Sequence, residues 1–154
     1  MSALPTGIIH GDPFLDNILV DGETGAFSAF VDFEDSCVGP LLFDVACTAA
    51  AGCYRPAQDG GPDELHTELL AHFLRGYVGV RRFTAEEAAA FVPFMRLALL
   101  CNCAWRFKNF NLDHREVESC RDAYKELQKR IEDLEQPERE RGVDELVRAA
   151  LAAL

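Results

Sequence analysis

Three side chains near the start of the sequence have types and spacing suited to phosphoryl chemistry. Asp12 lies on a Gly-Asp-Pro loop, Asn17 follows shortly after it, and Asp32 closes a later apolar run. Amide and carboxylate oxygens are hard ligands that suit Mg²⁺. A carboxylate beside them can orient a hydroxyl and take its proton. Asn17 and Asp32 are therefore candidate Mg²⁺ ligands, and Asp12 is a candidate base. The competing assignment makes all three turn residues and strand-end caps, where Asn and Asp are common.

The elements around them favour the chemical assignment. Ile18–Val20 and Phe27–Val31 are rich in β-branched and aromatic residues, and Asp21-Gly22-Glu23-Thr24-Gly25 between them is turn chemistry. An antiparallel hairpin returns the chain to its start, so Asn17 and Asp32 fall at one end and Asp12 curls over that end. Gly7–His10 reads as the end of a strand entering the loop, and Phe33–Leu42 as irregular chain punctuated by Gly39-Pro40. Within it, Glu34 and Asp35 are either extra ligands for a cation or solvated loop acids. Asp44 opens a small, Ala- and Cys-rich helix over 45–54, placed to satisfy free helix amides.

The remainder reads as helical. Arg55–Pro62 is loop, and Asp63 is the expected cap of a helix carrying Leu65, Leu69, Phe73 and Tyr77. His66 and His72 have no partner at metal spacing and read as boundary residues. Thr84-x-x-Glu87 is a capping-box pattern opening a long helix to about Phe110, with Pro93 as a kink or early break. Between Ala88 and Phe107 nearly every face is apolar, which predicts a buried central helix. Arg96 and Asn102 interrupt that stretch and argue against a membrane span. Buried Arg96 and Arg106 need partners, either a substrate carboxylate or an internal acid. Trp105 is either core or one wall of a quaternary-ammonium site. Asp113 and Glu116 mark a further helix with an apolar stripe at Val117, Cys120, Tyr124, Leu127, Ile131 and Leu134, and Glu126–Arg130 as an exposed pair. Pro137 breaks the chain before a last amphipathic helix, Val143–Leu154, which is the candidate partner-facing element.

A chain of 154 residues, 49% hydrophobic and 27% charged, fits one domain over 1–154 with its own core. The net charge of −11 argues against nucleic acid or an anionic membrane as the main partner. Six cysteines without a C-x-x-C pair read as free, mostly buried thiols of a reducing compartment. With no signal-peptide pattern at the N-terminus, the expected location is cytoplasmic. No Lys or Arg precedes Arg55, whereas that stretch holds eight acids.

His10-Gly11-Asp12-Pro13-Phe14-Leu15-Asp16-Asn17 resembles the catalytic loop, HGDxxxxN, of the aminoglycoside phosphotransferase and choline kinase superfamily. Val31-Asp32-Phe33-Glu34 matches the strand–Asp-Phe motif that follows it there, and Gly39-Pro40…Phe43-Asp44-Val45-Ala46 resembles the next segment. The fuller string HGDPFLDNILVD is most similar to the second type of homoserine kinase. The resemblance implies an α+β, mostly helical C-terminal lobe of a protein-kinase-like fold, with a small β-hairpin carrying the site. It implies ATP as co-substrate, Mg²⁺, and phosphate transfer to a small-molecule hydroxyl. Asp12 would be the base, Asn17 and Asp32 the Mg²⁺ ligands, and His10 and Asp44 supports of the loop. Asp16, Glu34 and Arg106 are the candidate substrate contacts. In that family a separate N-terminal lobe clamps the nucleotide with a strand-borne Lys. Here the catalytic loop begins at residue ten and no G-x-G-x-x-G or P-loop pattern appears. The expectation is a partial kinase that binds ATP poorly alone and needs a preceding lobe or another chain. A catalytically inactive binding or regulatory module is the alternative. Choline, ethanolamine or aminoglycoside phosphotransferases are the alternative enzymes.

Overall fold

The computed structural model describes residues 4–56 and 61–152. The expected α+β, mostly helical architecture is present, with three two-stranded sheets and five α-helices among the described residues. Strand β1 (Thr6–Ile9) leads into the loop, and β2 (Ile18–Val20) and β3 (Phe27–Phe30) form the expected hairpin. Its turn is fixed by Asp21, whose Oδ1 accepts from Thr24 N at 2.8 Å and Thr24 Oγ1 at 2.7 Å. The Thr24 hydroxyl, first among these contacts, holds the Asp21 carboxyl below its ordinary pKa. Gly25 completes the turn at φ 69°.

The segment expected to be irregular contains a strand. Cys37–Pro40, β4, pairs antiparallel with β1, with Ile8 opposite Val38 and Gly7 opposite Gly39. Pro40 is tolerated because it closes the ladder at its end. The small Gly7–Gly39 pair admits close neighbours, since a Cβ on Gly39 would lie 2.7 Å from Ile9 Cδ1.

Helix α1 (Leu42–Gly52) starts earlier than expected, and Asp44 lies inside its first turn rather than capping it. β5 (Tyr54–Arg55) and β6 (Glu64–Leu65) form a short ladder, with part of the expected intervening loop, 57–60, outside the described residues. Helix α2 (Thr67–Val78) is capped by His66, whose side chain accepts from Leu69 N at 3.2 Å. Asp63, expected as that cap, instead binds Arg130. Helix α3 (Ala85–Lys108) carries the complete Thr84/Glu87 capping box, and Pro93 sits within it without ending it. Glu87 is fully buried and paired with Arg81 at 2.8 Å. A π-helical turn, Asn109–Asp113, extends α3.

The next helix begins later than the sequence suggests. Asp113 ends the π turn and pairs with Lys108, and α4 spans Ala123–Leu134. Helix α5 (Pro137–Ala152) is one piece, with Pro137 as its first residue. A proline there is favoured because that position needs no intrahelical N–H bond. Val143, Val147 and Ala150 bury one face of α5 against the other helices, so the helix expected to face a partner contributes to the core.

The core unites α1–α5 around Leu42, Leu70, Leu74, Phe91, Met95, Leu99, Leu127 and Leu134. α3 is its spine, but on one face only. Phe91, Val92, Met95, Ala98 and Leu99 are buried, whereas Leu97, Leu100, Trp105 and Phe107 are exposed. An apolar composition on every face does not supply neighbours on every face, and here α1, α4 and α5 cover one side. By length and composition alone, Ala85–Asp113 is also apolar enough to cross a membrane.

Candidate active site

The loop from His10 to Asn17 is held at its backbone before its side chains come into play. The Asp44 carboxylate, presented by the first turn of α1, accepts from His10 N at 2.7 Å and Gly11 N at 3.0 Å. It therefore satisfies loop amides rather than helix amides. The His10 ring is buried and joins the loop to the hairpin, with Nε2 2.9 Å from Val31 O. A carbonyl can only accept, so Nε2 carries the proton and Nδ1 is left to accept from Asp12 N at 3.4 Å. The Phe33 ring packs 4.6 Å from the His10 ring, and Ser36 Oγ donates to His10 O at 3.2 Å.

Gly11 is required by this geometry. Its φ is +89°, and a Cβ there would lie 2.4 Å from Asp35 O. We expect Gly11→Ala to destabilise the protein by at least about 1–2 kcal/mol from the left-handed backbone alone. The backbone clash adds to that. Urea unfolding measures it, and an unchanged midpoint and slope would contradict the loop geometry.

The three candidate chemical residues converge. Val31 N donates to Asn17 O at 3.0 Å, extending the ladder in which Ile18 faces Phe30. Asn17 and Asp32 thus leave the same end of the hairpin, as expected. Asp32 has φ 63°, an uncommon conformation for a residue with a Cβ. Asn17 Nδ2 donates to Asp12 O at 2.9 Å and to Asp12 Oδ2 at 3.2 Å. The amide oxygen of Asn17 is consequently the atom suited to a cation, because its nitrogen serves Asp12.

These residues line a cleft of about 720 Å³. Asp12, Asp16, Asn17, Asp32, Glu34 and Asp35 contribute from the loop and hairpin, and Cys101, Asn102, Trp105 and Arg106 from α3. The Asp12 pKa is raised above its ordinary 3.8, first by burial and then by the charges of Asp16 and Asp35, with His10 opposing. A raised pKa makes a carboxylate a better proton acceptor.

The donor set fits Mg²⁺. Among the described residues no group of three His, Cys, Asp or Glu side chains surrounds a common metal position. One amide oxygen and a carboxylate opening on one cleft are what Mg²⁺ takes from a protein when phosphates and water complete its shell.

The other cations and thiols divide between the framework and the cleft wall. Arg96, weighed as a substrate-carboxylate partner, binds Leu134 O and Glu140, the latter at 3.0 Å. Arg106 lines the cleft, yet its Nη1 donates to Ala123 O at 3.1 Å and lies 3.8 Å from Glu126. Trp105 is not core: it is 58% exposed and borders the cleft. All six cysteines are free, but only Cys47 and Cys53 are buried, and Cys37 and Cys101 are exposed in the cleft wall. Burial raises the thiol pKa of Cys53 to about 11. Arg130, expected in an exposed pair, is buried and bound to both Asp63 and Glu126 at 2.5 Å.

Sequence reading singled out Asn102 only as an interruption of an apolar stretch. In the structure its Nδ2 donates to Asp12 Oδ1 at 3.3 Å. The available signal was a lone amide inside an otherwise apolar helix segment, and nothing in the sequence said what it faced.

Comparison with known proteins covers this same region. The chain is 43% identical over 93 residues to the homoserine kinase of Neisseria meningitidis serogroup B, an alignment spanning 60% of this chain and 28% of that protein. It is 43% identical over 91 residues to the homoserine kinase of Beijerinckia indica, covering 57% of this chain and 25% of that one. The homoserine kinase of Pseudomonas aeruginosa PAO1 is 35% identical over 96 residues, or 62% and 28% of the two chains. The chain thus spans about a quarter of the length of these relatives. Residues 1–91, which contain the His10–Asn17 loop, the hairpin and α1, match the phosphotransferase enzyme family. The chain with this acidic, loop-held cleft belongs to the phosphotransferase enzyme family.

Proposed function

We propose that this chain is the acceptor-side, C-terminal lobe of a protein-kinase-like enzyme that transfers phosphate from ATP to the hydroxyl of a small amino acid such as homoserine. The observation that carries the reading is the Asp12–Asn17 pair. One amide fixes the carboxylate through its nitrogen and keeps its oxygen for a cation. Asp12 accepts the proton of the attacking hydroxyl, and its remaining lone pairs provide the acceptor position. Asn17 and Asp32 would hold Mg²⁺, which supplies positive charge for the phosphate oxygens that this acidic cleft lacks. Asp44, Gly11 and His10 keep the loop in place while the proton moves.

The acceptor's other groups have partners of suitable charge. Asp16 and Glu34 in the cleft wall would meet an ammonium group. Among the described residues Arg106 is the only Lys or Arg lining the cleft, and it is the candidate for a carboxylate. Relatives at 33–43% identity carry the name homoserine kinase, which supports an acceptor with both charges. A second reading, an amino-alcohol kinase for choline or ethanolamine, is favoured by Trp105 exposed on the rim of an acidic cleft. Parallel assays with homoserine and choline separate the two.

The cation assignment has its own test. We expect Asp32→Ala to raise the Mg²⁺ concentration needed for half-maximal activity about tenfold or more, in the range that loss of one carboxylate ligand or its support produces. Unchanged Mg²⁺ dependence would remove Asp32 from the site.

A further inference from the structure

We infer that Asn102 of α3 is a positioning residue for the base, fixing the Asp12 carboxylate from the acceptor side of the cleft. The inference rests on the phosphotransfer reading above and adds to it a residue outside the catalytic loop.

Asp12 is gripped at both carboxylate oxygens by side-chain amides. Asn17 Nδ2 reaches Oδ2 at 3.2 Å from within the loop, and Asn102 Nδ2 reaches Oδ1 at 3.3 Å from a helix 90 residues away in sequence. The chemistry of the two donors matters. A Lys or Arg in either place would neutralise the base, whereas an amide restrains the carboxylate plane and leaves the charge intact. A carboxylate offers roughly four lone-pair positions, so two amide contacts leave room for a substrate hydroxyl. Both distances are at the long end for such bonds, as is common for catalytic contacts before substrate binds.

Placement points the same way. Asn102 is half-buried and sits among apolar neighbours on α3, where an Asn costs about 0.5 kcal/mol of helix propensity relative to Ala. Cys101, Trp105 and Arg106 on the same stretch line the cleft with it. The helix that walls the acceptor side is thus the one that touches the base. Asp44 of α1 holds the loop backbone while Asn102 of α3 holds the reactive side chain, and α1 and α3 pack together. A carboxylate free to rotate about its last torsion would lose alignment with the incoming hydroxyl, and small misplacements cost up to about a hundredfold in rate.

The test has two arms. The chain contains only four asparagines, Asn17, Asn102, Asn109 and Asn111, so their side-chain amide signals can be assigned by NMR. In the 154-residue chain, Asp12→Ala is expected to shift the Asn102 and Asn17 amides and leave Asn109 and Asn111 in place. In the protein as its own cells make it, Asn102→Leu is expected to lower kcat about 10- to 100-fold while KM for ATP stays within about twofold. Asn102→Gln, which keeps a donor, is expected to recover part of the rate. An Asn102 amide indifferent to Asp12→Ala would overturn the inference, whatever the activity. So would a Leu variant that turns over like the wild type. A wild type that transfers no phosphate although its Asn102 amide responds would instead overturn the underlying phosphotransfer reading.

Discussion

Replacing Asp12 with Asn is expected to lower the rate of phosphate transfer by about 10²–10⁴-fold, the usual contribution of a positioned base. Stability should stay within about 1 kcal/mol of wild type at pH 7. The two halves of this prediction have different causes. The rate falls because the neutral amide cannot accept the hydroxyl proton. Stability is nearly kept because two changes oppose each other. An amide has one oxygen where the carboxylate had two, so Asn17 or Asn102 loses an acceptor. Against that, a charge is removed from a cleft already holding Asp16, Asp32 and Asp35, which raise the Asp12 pKa together with burial.

The pH dependence follows from that sign. The folded protein binds the Asp12 proton more tightly than the unfolded chain does, so this group favours the fold below its unfolded pKa. That contribution is lost as pH rises through the folded value. The Asn variant lacks this term, so its stability relative to wild type should improve as pH rises from about 3 to 7. The acid limb of kcat/KM for the wild type should lie above 3.8, the ordinary value for the group. A variant that is both unstable and inactive would move Asp12 from catalysis to structure.

Arg130→Ala is expected to cost about 3–5 kcal/mol, the range for breaking a buried ion pair from one side. Arg130 is 8% exposed, and its Nη2 contacts Asp63 Oδ2 and Glu126 Oε1 at 2.5 Å each. Nη1 donates to Ala50 O at 3.2 Å and Ala51 O at 3.4 Å, the carbonyls at the end of α1. The guanidinium lies 5.1 Å from the Tyr54 ring centroid. Removing it strands Asp63, uncaps α1 and takes a cation from the negative end of that helix. Arg130→Lys should recover only part, because one ammonium cannot serve two acids and two carbonyls at this spread. Since α1 carries Asp44, partial unfolding there should also loosen the His10–Asn17 loop. Denaturant unfolding measures the cost, and a loss under about 1 kcal/mol would show that the network contributes little.

The sequence disclosed the local part of the site and missed the distant part. The hairpin was legible because its strands are β-branched and aromatic and its turn is Asp-Gly-rich, all information within 14 residues. From it followed the shared end for Asn17 and Asp32. The β4 strand was not legible, because its partner β1 lies far back in the chain and Gly39-Pro40 carries the local signal of a turn. Asp63 has the look of a helix cap, yet Arg130 sets its place from 67 residues away. Asp44 offered two outlets for its carboxylate, and only the tertiary arrangement of β1 against α1 decided for the loop amides. Asn102 is the extreme case. The Thr84/Glu87 capping box and the apolar stretch after it identified its helix, but not that a single amide on it would meet Asp12. The same limit explains why α3 was expected to be buried all round: hydrophobicity shows which faces tolerate burial, while neighbours decide which faces are buried.

The most direct test of the proposed function is transfer of labelled γ-phosphate from ATP to homoserine by the protein as its own cells make it. Wild type and Asp12→Asn should be assayed with and without Mg²⁺. The prediction is homoserine-dependent, Mg²⁺-dependent phosphate transfer that falls at least about 100-fold in the Asn variant. Equal transfer by the two proteins, or none from the wild type to homoserine or choline, would contradict it.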